Sequence, residues 1–193
     1  MRVAVLCEYS GLVRDAFAAR GHEAWSCDIL ETESPGRHYK GDAFRFLNSR
    51  PDWDLIIGHP PCTAMAVCGN RFYSGTEERK QAQLWTRKLW DLCLTRAPKV
   101  CFENPVSTLS QIMPVKASYI HPWQFGHPET KKTGLWLWNL APLEPTDNVF
   151  EEMMKLPPQQ RHRIHRMPPG PDRGKERSRF YSGIANAMAA QWG

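Results

Sequence analysis

Residues 1–28, MRVAVLCEYSGLVRDAFAARGHEAWSCD, set out a strand, a turn, a helix and a second strand. Val3–Cys7 is an unbroken apolar run of strand length, the pattern of a strand buried on both faces. Gly11 opens a helical pattern that runs through Ala19 and stops at Gly21. Glu23–Cys27 is the next strand, and it ends on Asp28. The alternation continues downstream. A polar loop is expected over Glu31–Lys40, and Gly41-Asp42 leads into a short helix over Ala43–Asn48. Trp53–Gly58 is a third apolar strand, ending in His59-Pro60-Pro61-Cys62. A long amphipathic helix over Glu77–Arg96 precedes a strand over Lys99–Glu103. Strands alternating with helices predict βαβ units, an α/β fold on a parallel sheet with helices on both faces.

The second half is less regular. Pro122–Phe125 and Gly134–Asn139 are expected as strands, with Trp123, Trp136 and Trp138 as aromatic bulk, and Gly183–Gln191 as a small-residue helix. The 193 residues fit one domain, and 41% hydrophobic with 23% charged residues predicts a globular chain. No apolar run approaches membrane-spanning length, and the N-terminus has no signal-peptide pattern, so a soluble, intracellular protein is expected. Six cysteines (7, 27, 62, 68, 93 and 101) form no C-x-x-C pair, which argues against a zinc site or a disulfide framework. His162 and His165 lack partners at ligand spacing, so no metal is expected there either.

The charge is uneven. Residues 155–179 hold eight Lys or Arg against Asp172 and Glu176, a net of +6 within a chain whose total is +5. The same window carries five of the 16 prolines. A flexible basic segment on a nearly neutral body is the footprint expected for a polyanion, although a solvated charged loop reads the same way.

In an open α/β sheet, ligands bind beyond the carboxyl ends of the strands. The polar residues fall there: Glu8-Tyr9-Ser10-Gly11, Asp28, Asp42, His59–Cys62 and Glu103-Asn104. Ser10-Gly11 permits close backbone approach at a helix N-terminus, and Asp28 is placed to bond a ribose hydroxyl, a pattern suited to a nucleoside-containing cofactor. Cys62 follows two prolines that hold the backbone extended, so a rigidly placed thiolate there is a candidate nucleophile. The competing reading is a small buried residue after a proline turn. Glu103-Asn104-Pro105 ends the next strand, and a carboxyl group opposite a nucleophile at one sheet rim is a catalytic arrangement.

In this order, these motifs resemble the DNA cytosine-5 methyltransferases, and in particular the small phage- and prophage-type members. The matching pieces are Cys7-Glu8-Tyr9-Ser10-Gly11 with Val13-Arg14-Asp15-Ala16-Phe17, His59-Pro60-Pro61-Cys62-Thr63, Glu103-Asn104-Pro105, the run Trp123 to Lys131, Arg177-Ser178-Arg179 and Gly183-Ile184-Ala185. The resemblance covers nearly the whole chain. It implies a Rossmann-like sheet and S-adenosylmethionine as cofactor, with S-adenosylhomocysteine as product. It also implies DNA as partner, no metal, no membrane, and residence in the cytoplasm of a bacterium or phage-infected host. Carried over, Cys62 adds to carbon 6 of cytosine, Glu103 bonds the ring nitrogen at position 3, and Asn104 orients Glu103 or the base. Glu8, Tyr9, Ser10, Gly11, Asp28, Ile29, Asp42, Ala43 and Pro60 hold the cofactor. Thr63, His127, Lys131, Lys132, Arg161, Arg163, Arg166, Arg177 and Arg179 face DNA or the flipped base.

The chain departs from that pattern in three places. The glycine-rich first motif is Cys-Glu-Tyr-Ser-Gly, an arginine pair after Glu-Asn is replaced by Lys131 and Lys132, and no large target-recognition domain precedes the last motif. Residues 1–141 are expected as the catalytic core, 142–179 as a basic, proline-rich stand-in for target recognition, and 180–193 as a helix returning to the core. Sequence discrimination is then expected to be loose. Two alternatives stay open: a methyltransferase acting on an exocyclic amine, which needs no nucleophile, and a non-catalytic DNA-binding homologue.

Overall fold

The computed structural model describes residues 1–50, 52–170 and 173–193. One sheet is built from β1 (Arg2–Leu6), β2 (Glu23–Asp28), β3 (His38–Lys40), β4 (Leu55–Gly58), β5 (Lys99–Pro105), β6 (Ala117–Ile120) and β7 (Thr133–Trp138), in the order β3-β2-β1-β4-β5-β7-β6. From β3 to β5 neighbouring strands are parallel, whereas β7 runs antiparallel to both β5 and β6. The longer helices are α1 (Leu12–Ala18), α2 (Ala43–Ser49), α4 (Glu77–Arg96) and α9 (Ser182–Trp192). Short ones lie at α3 (Asn70–Tyr73), α5 (Phe150–Lys155), α6 (Pro158–Arg161), α7 (Arg163–Arg166) and α8 (Arg173–Ser178).

The period-two alternation of each strand divides the core between the two faces of the sheet. Val3 and Val5, Leu55 and Ile57, Cys101 and Leu135 face α1 and α9, meeting Val13, Phe17, Ile184, Met188 and Trp192. Ala4 and Leu6, Ile56, Val100 and Phe102, and Trp136 face α2 and α4, meeting Phe46, Leu47, Leu89, Trp90 and Cys93. Helix α4 begins where the Thr76 hydroxyl accepts from the Arg79 amide at 3.3 Å; Glu77 and Glu78 in its first turn and Arg96 in its last complement the helix dipole.

Strand β1 leads to β2 on one side and is flanked by β4 on the other. That divergence is a topological switch point, and it opens a crevice beyond the carboxyl ends of β1 and β4.

Three local expectations change. The polar stretch 31–40 ends in β3, which adds an edge strand beside β2. Pro122–Gln124 is a single 3-10 turn, not a strand: Pro122 supplies the fixed φ and missing N–H suited to a first helical position, and the Gln124 side chain accepts from the His121 amide at 2.6 Å. The edge strand beyond β7 is instead β6, a four-residue strand too short and mixed to stand out in the sequence. The basic segment carries α5 to α8 and buries Met153 and Ile164.

Candidate active site

The chain turns sharply at the end of β1, where Cys7 takes φ 57°, a left-handed conformation that is strained for a side chain other than glycine. The turn aims Glu8 inward. Its buried carboxylate accepts from the amides of Val13 at 2.6 Å and Arg14 at 3.2 Å, which caps the N-terminus of α1. Burial raises the Glu8 carboxyl above its usual range, against the lowering effect of His59 and of those two amides. Gly11 takes φ 76°, and a Cβ there would meet the Arg14 guanidinium at 2.4 Å. The glycine therefore answers to the packing of Arg14, whose buried head bonds Ser26, Thr32 and the Ser34 carbonyl.

Beyond β4 the two prolines carry the chain to Cys62. Asn104, at the end of β5, donates from Nδ2 to the Pro60 carbonyl at 2.8 Å and so ties the Pro-Pro-Cys turn to the neighbouring strand. Beside it the Glu103 carboxylate accepts from His59 Nδ1 at 3.0 Å. Burial opposes ionisation of Glu103, but the hydrogen bond and charge of His59, together with Lys131, outweigh it and hold the carboxyl below its usual range. The Cys62 thiol is pushed up, first by burial and then by the Glu103 charge, so it is a thiol at rest.

These groups line one cavity of about 280 Å³, close to the size of small-molecule sites. Glu8, Tyr9, Ser10, Asp28 and Ile29 come to it from the ends of β1 and β2, His59, Pro60, Cys62, Glu103 and Asn104 from the ends of β4 and β5, Lys131 from the loop before β7, and Arg177, Arg179 and Phe180 from the segment before α9. Asp28 accepts from the Leu30 amide at 2.9 Å, which leaves the exposed Ile29 and Leu30 side chains as an apolar shelf beside it. Two buried polar atoms in the wall, His59 Nε2 and Asn104 Oδ1, find no partner among the described residues.

Residues 173–180 lie across this cavity. The Tyr9 hydroxyl donates to the Lys175 carbonyl at 3.3 Å and pairs with Ser178 Oγ at 3.4 Å. Glu33 holds Lys175 at 2.7 Å and Arg179 at 3.2 Å, and the Phe180 ring meets His59 edge-on at 4.9 Å. Arg177 reaches Cys68 Sγ at 3.5 Å.

The structure thus brings Cys62, Glu103, Asn104, Glu8, Tyr9, Ser10, Asp28, Ile29, Pro60, Lys131, Arg177 and Arg179 to one cavity. Gly11, Asp42, Ala43, Thr63, Lys132, Arg161, Arg163 and Arg166 are not on its wall. Asp42 instead caps α2, accepting from the Arg45 amide at 3.0 Å, and Ala43 is buried in the first turn of that helix. Lys132 lies over the Tyr119 ring, and Arg163 is paired with Glu129 at 3.0 Å. His127 accepts from the Gly183 amide at 3.0 Å, tying its loop to the start of α9. His59 stands in the strand-end motif but carries no role in the sequence, because its partner lies 44 residues away.

The sheet order, with its crevice at the switch point, is an α/β, Rossmann-like fold. Among solved structures, the chain is similar to a protein described as a prophage-encoded DNA modification methyltransferase from E. coli, with TM-score 0.51 and 14% identity over 82% of this chain and 56% of that one. It is also similar to the S. pombe Dnmt2 methyltransferase, with TM-score 0.50 and 18% identity over 88% of this chain and 62% of that one. The chain therefore spans less than two thirds of the length of either neighbour. No family model matches the chain, and no curated protein matches it. Among the described residues no group of three or more His, Cys, Asp or Glu is placed to hold a metal ion, and no helix is long and apolar enough to cross a membrane.

Proposed function

We propose that the protein transfers a methyl group from S-adenosylmethionine to carbon 5 of cytosine in DNA, through a covalent adduct at Cys62. The observation that carries this reading is the meeting of Cys62 and Glu103 in one cavity, on adjoining strand ends locked together by the Asn104–Pro60 hydrogen bond. An enzyme methylating an exocyclic amine has no use for that pair.

The wall fits the cofactor. Glu8 and Asp28 put two carboxyl groups at the end where a cationic sulfonium and a ribose would lie, Ile29 and Leu30 offer an apolar shelf to an adenine, and Asn104 Oδ1 is an unspent acceptor. S-adenosylmethionine would supply an electrophilic methyl group there. Tyr9, Ser10 and Pro60 complete the wall, and Gly11, Asp42 and Ala43 act behind it by shaping the turns.

Cys62 loses its thiol proton to solvent and attacks carbon 6 as the thiolate, whose lone pair forms the new S–C bond. The C5–C6 π pair shifts to C4–C5, the C4–N3 π pair moves onto N3, and N3 takes a proton from Glu103. Carbon 5 is now an enamine carbon, able to accept the methyl group. Water then takes the C5 proton, the freed C–H pair forms the C5–C6 double bond as the thiolate leaves carbon 6, and the N3 proton returns to Glu103. Flipping the base out of a duplex costs a few kcal/mol, which the pocket must offset. Lys131, Arg177 and Arg179 form the cationic side of the cavity that meets the DNA backbone, with Thr63, His127, Lys132, Arg161, Arg163 and Arg166 around it. Residues 1–141 form the core, 142–179 stand in for a target-recognition domain, and 180–193 return to the core.

The test uses duplex oligonucleotides carrying 5-fluorocytosine, incubated with S-adenosylmethionine and run on a denaturing gel. Fluorine at carbon 5 blocks elimination, so the expected result is a protein–DNA adduct that Cys62→Ala abolishes. Methyl transfer to unmodified DNA that survives Cys62→Ala would replace this reading with amine methylation.

A further inference from the structure

Resting on that reading, we infer that His59 is the positioning residue that keeps a proton on the His59–Glu103 pair, so that Glu103 can deliver it to N3 of the base. Glu103 alone is poorly suited to the task. To protonate N3 it must carry a hydrogen, yet its surroundings hold it ionised at neutral pH. The missing proton is adjacent. His59 Nδ1 faces Glu103 Oε2 at 3.0 Å, and both side chains are nearly sealed from solvent, at 12% and 11% exposure. An imidazolium beside a carboxylate and an imidazole beside a carboxylic acid hold the same single proton, so the pair can present it from the Glu103 side when the base arrives.

Four groups surround the pair. Glu8 faces it from the β1–α1 turn and Asp28 from the end of β2, and both carboxyl groups are influenced by the His59 charge. Lys131 acts on Glu103 from the loop before β7, and Phe180 closes the remaining side with an apolar edge. The other ring nitrogen, Nε2, is buried with no partner among the described residues, so Glu103 is the one bonded outlet for the proton there. In the forward step the shared proton passes from Nδ1 through Glu103 to N3, which leaves Glu103 ionised and the imidazole neutral. Elimination runs the transfer backwards.

Two variants separate a proton-holding role from a merely structural one. His59→Asn keeps a donor close to the Nδ1 position but carries no titratable proton; Cys62→Ala is the adduct-null control. Adduct formation on 5-fluorocytosine DNA is followed from pH 5.5 to 9. The rate is compared with the wild type at each pH, so that ionisation of the Cys62 thiol, common to both, cancels. In His59→Asn it should drop about 100-fold at pH 7.5, within the usual range for general-acid catalysis. It should recover toward wild type at the acid end, where Glu103 protonates by itself. A uniform drop across the range, or no drop, overturns the proposal. If the wild type forms no adduct, the cytosine reading fails, and the pair is judged by ¹³C NMR of the Glu103 carboxyl. Its titration should move upward in His59→Asn, and an unmoved titration overturns the pairing as well.

Discussion

Asn104 is the residue whose removal tests whether the two halves of the site are mechanically joined. Its side chain is 1% exposed, and its Nδ2 meets the Pro60 carbonyl at 2.8 Å, two residues before Cys62. Asn104→Ala removes a hydrogen bond worth about 1 kcal/mol net and strands a buried carbonyl at a cost of about 1–3 kcal/mol, so a loss near 2 kcal/mol is expected. With a urea dependence of about 2 kcal/mol per molar, the unfolding midpoint should fall by about 1 M. Release of the turn lets Cys62 drift, and a displacement of about 1 Å costs about 100-fold in rate. Adduct formation should therefore fall further than stability does. Asn104→Asp sharpens the test, because a carboxylate in that place repels the Pro60 carbonyl and only its protonated form can donate. Burial raises the folded pKa of the new group above its unfolded value of about 3.9. The deficit relative to wild type is then absent below the unfolded pKa and grows as pH rises toward the folded one. Urea unfolding at pH 5 and pH 8 reads the difference. An alanine variant within about 0.2 M of wild type, or an aspartate variant indifferent to pH, would refute the reasoning.

Two further outcomes follow from the charges. Glu103 has a folded pKa below its unfolded value, so the stability it contributes is present above about pH 4.3 and is lost as pH falls through the folded pKa. Glu103→Gln should therefore be less stable than wild type at pH 7 and nearly equal to it at pH 3 in urea unfolding, while losing the adduct. In the basic segment Arg163, Lys175 and Arg179 are paired with Glu129 and Glu33, which leaves at most five of its eight cations for phosphate, or seven with Lys131 and Lys132. The affinity for duplex DNA should then fall no more than about 6,000-fold between 50 and 200 mM salt, checked by fluorescence anisotropy. A fall beyond about 50,000-fold would mean that those ion pairs open on DNA.

The core and the order of the site motifs were legible because they are local. Each apolar strand announced itself within a handful of residues, and β1, β2, β4 and β5 lie where their periodicity puts them, as does α4 over Glu77–Arg96. What escaped was non-local or too short to carry a period. Strand β6 is four residues long, and its place beside β7 depends on pairing. Proline reads poorly in isolation: Pro122 opens a helical turn, whereas Pro60 and Pro61 hold a chain extended. The site divides in the same way. The meeting of Cys62 and Glu103 at one cavity follows from motif order, whereas the capping of α2 by Asp42 and the room that Gly11 leaves for Arg14 are facts about neighbours that no short stretch displays. His59 is the clearest case, since nothing in its own stretch points to Glu103.

The basic segment shows why charge counting alone misjudges a surface. Its net of +6 suggests a tract free to meet DNA, but Glu33 and Glu129 neutralise part of it and dock it against the core. Glu33 stands in the loop held by buried Arg14, which bonds the carbonyl of the next residue, Ser34, at 2.9 Å. A motif residue on α1 thereby helps position the acid that pins residues 175 and 179, and the Tyr9 hydroxyl pins 175 and 178 from the β1–α1 turn. The segment's cations consequently border the cavity, with Arg177 and Arg179 on its wall and Arg179 held by Glu33 beside the β1–α1 turn. A polyanion that draws Lys175 or Arg179 from Glu33 would leave the strap to the Tyr9 hydroxyl and the Phe180–His59 contact, so the grip of the segment on the cavity depends on how that one glutamate is paired.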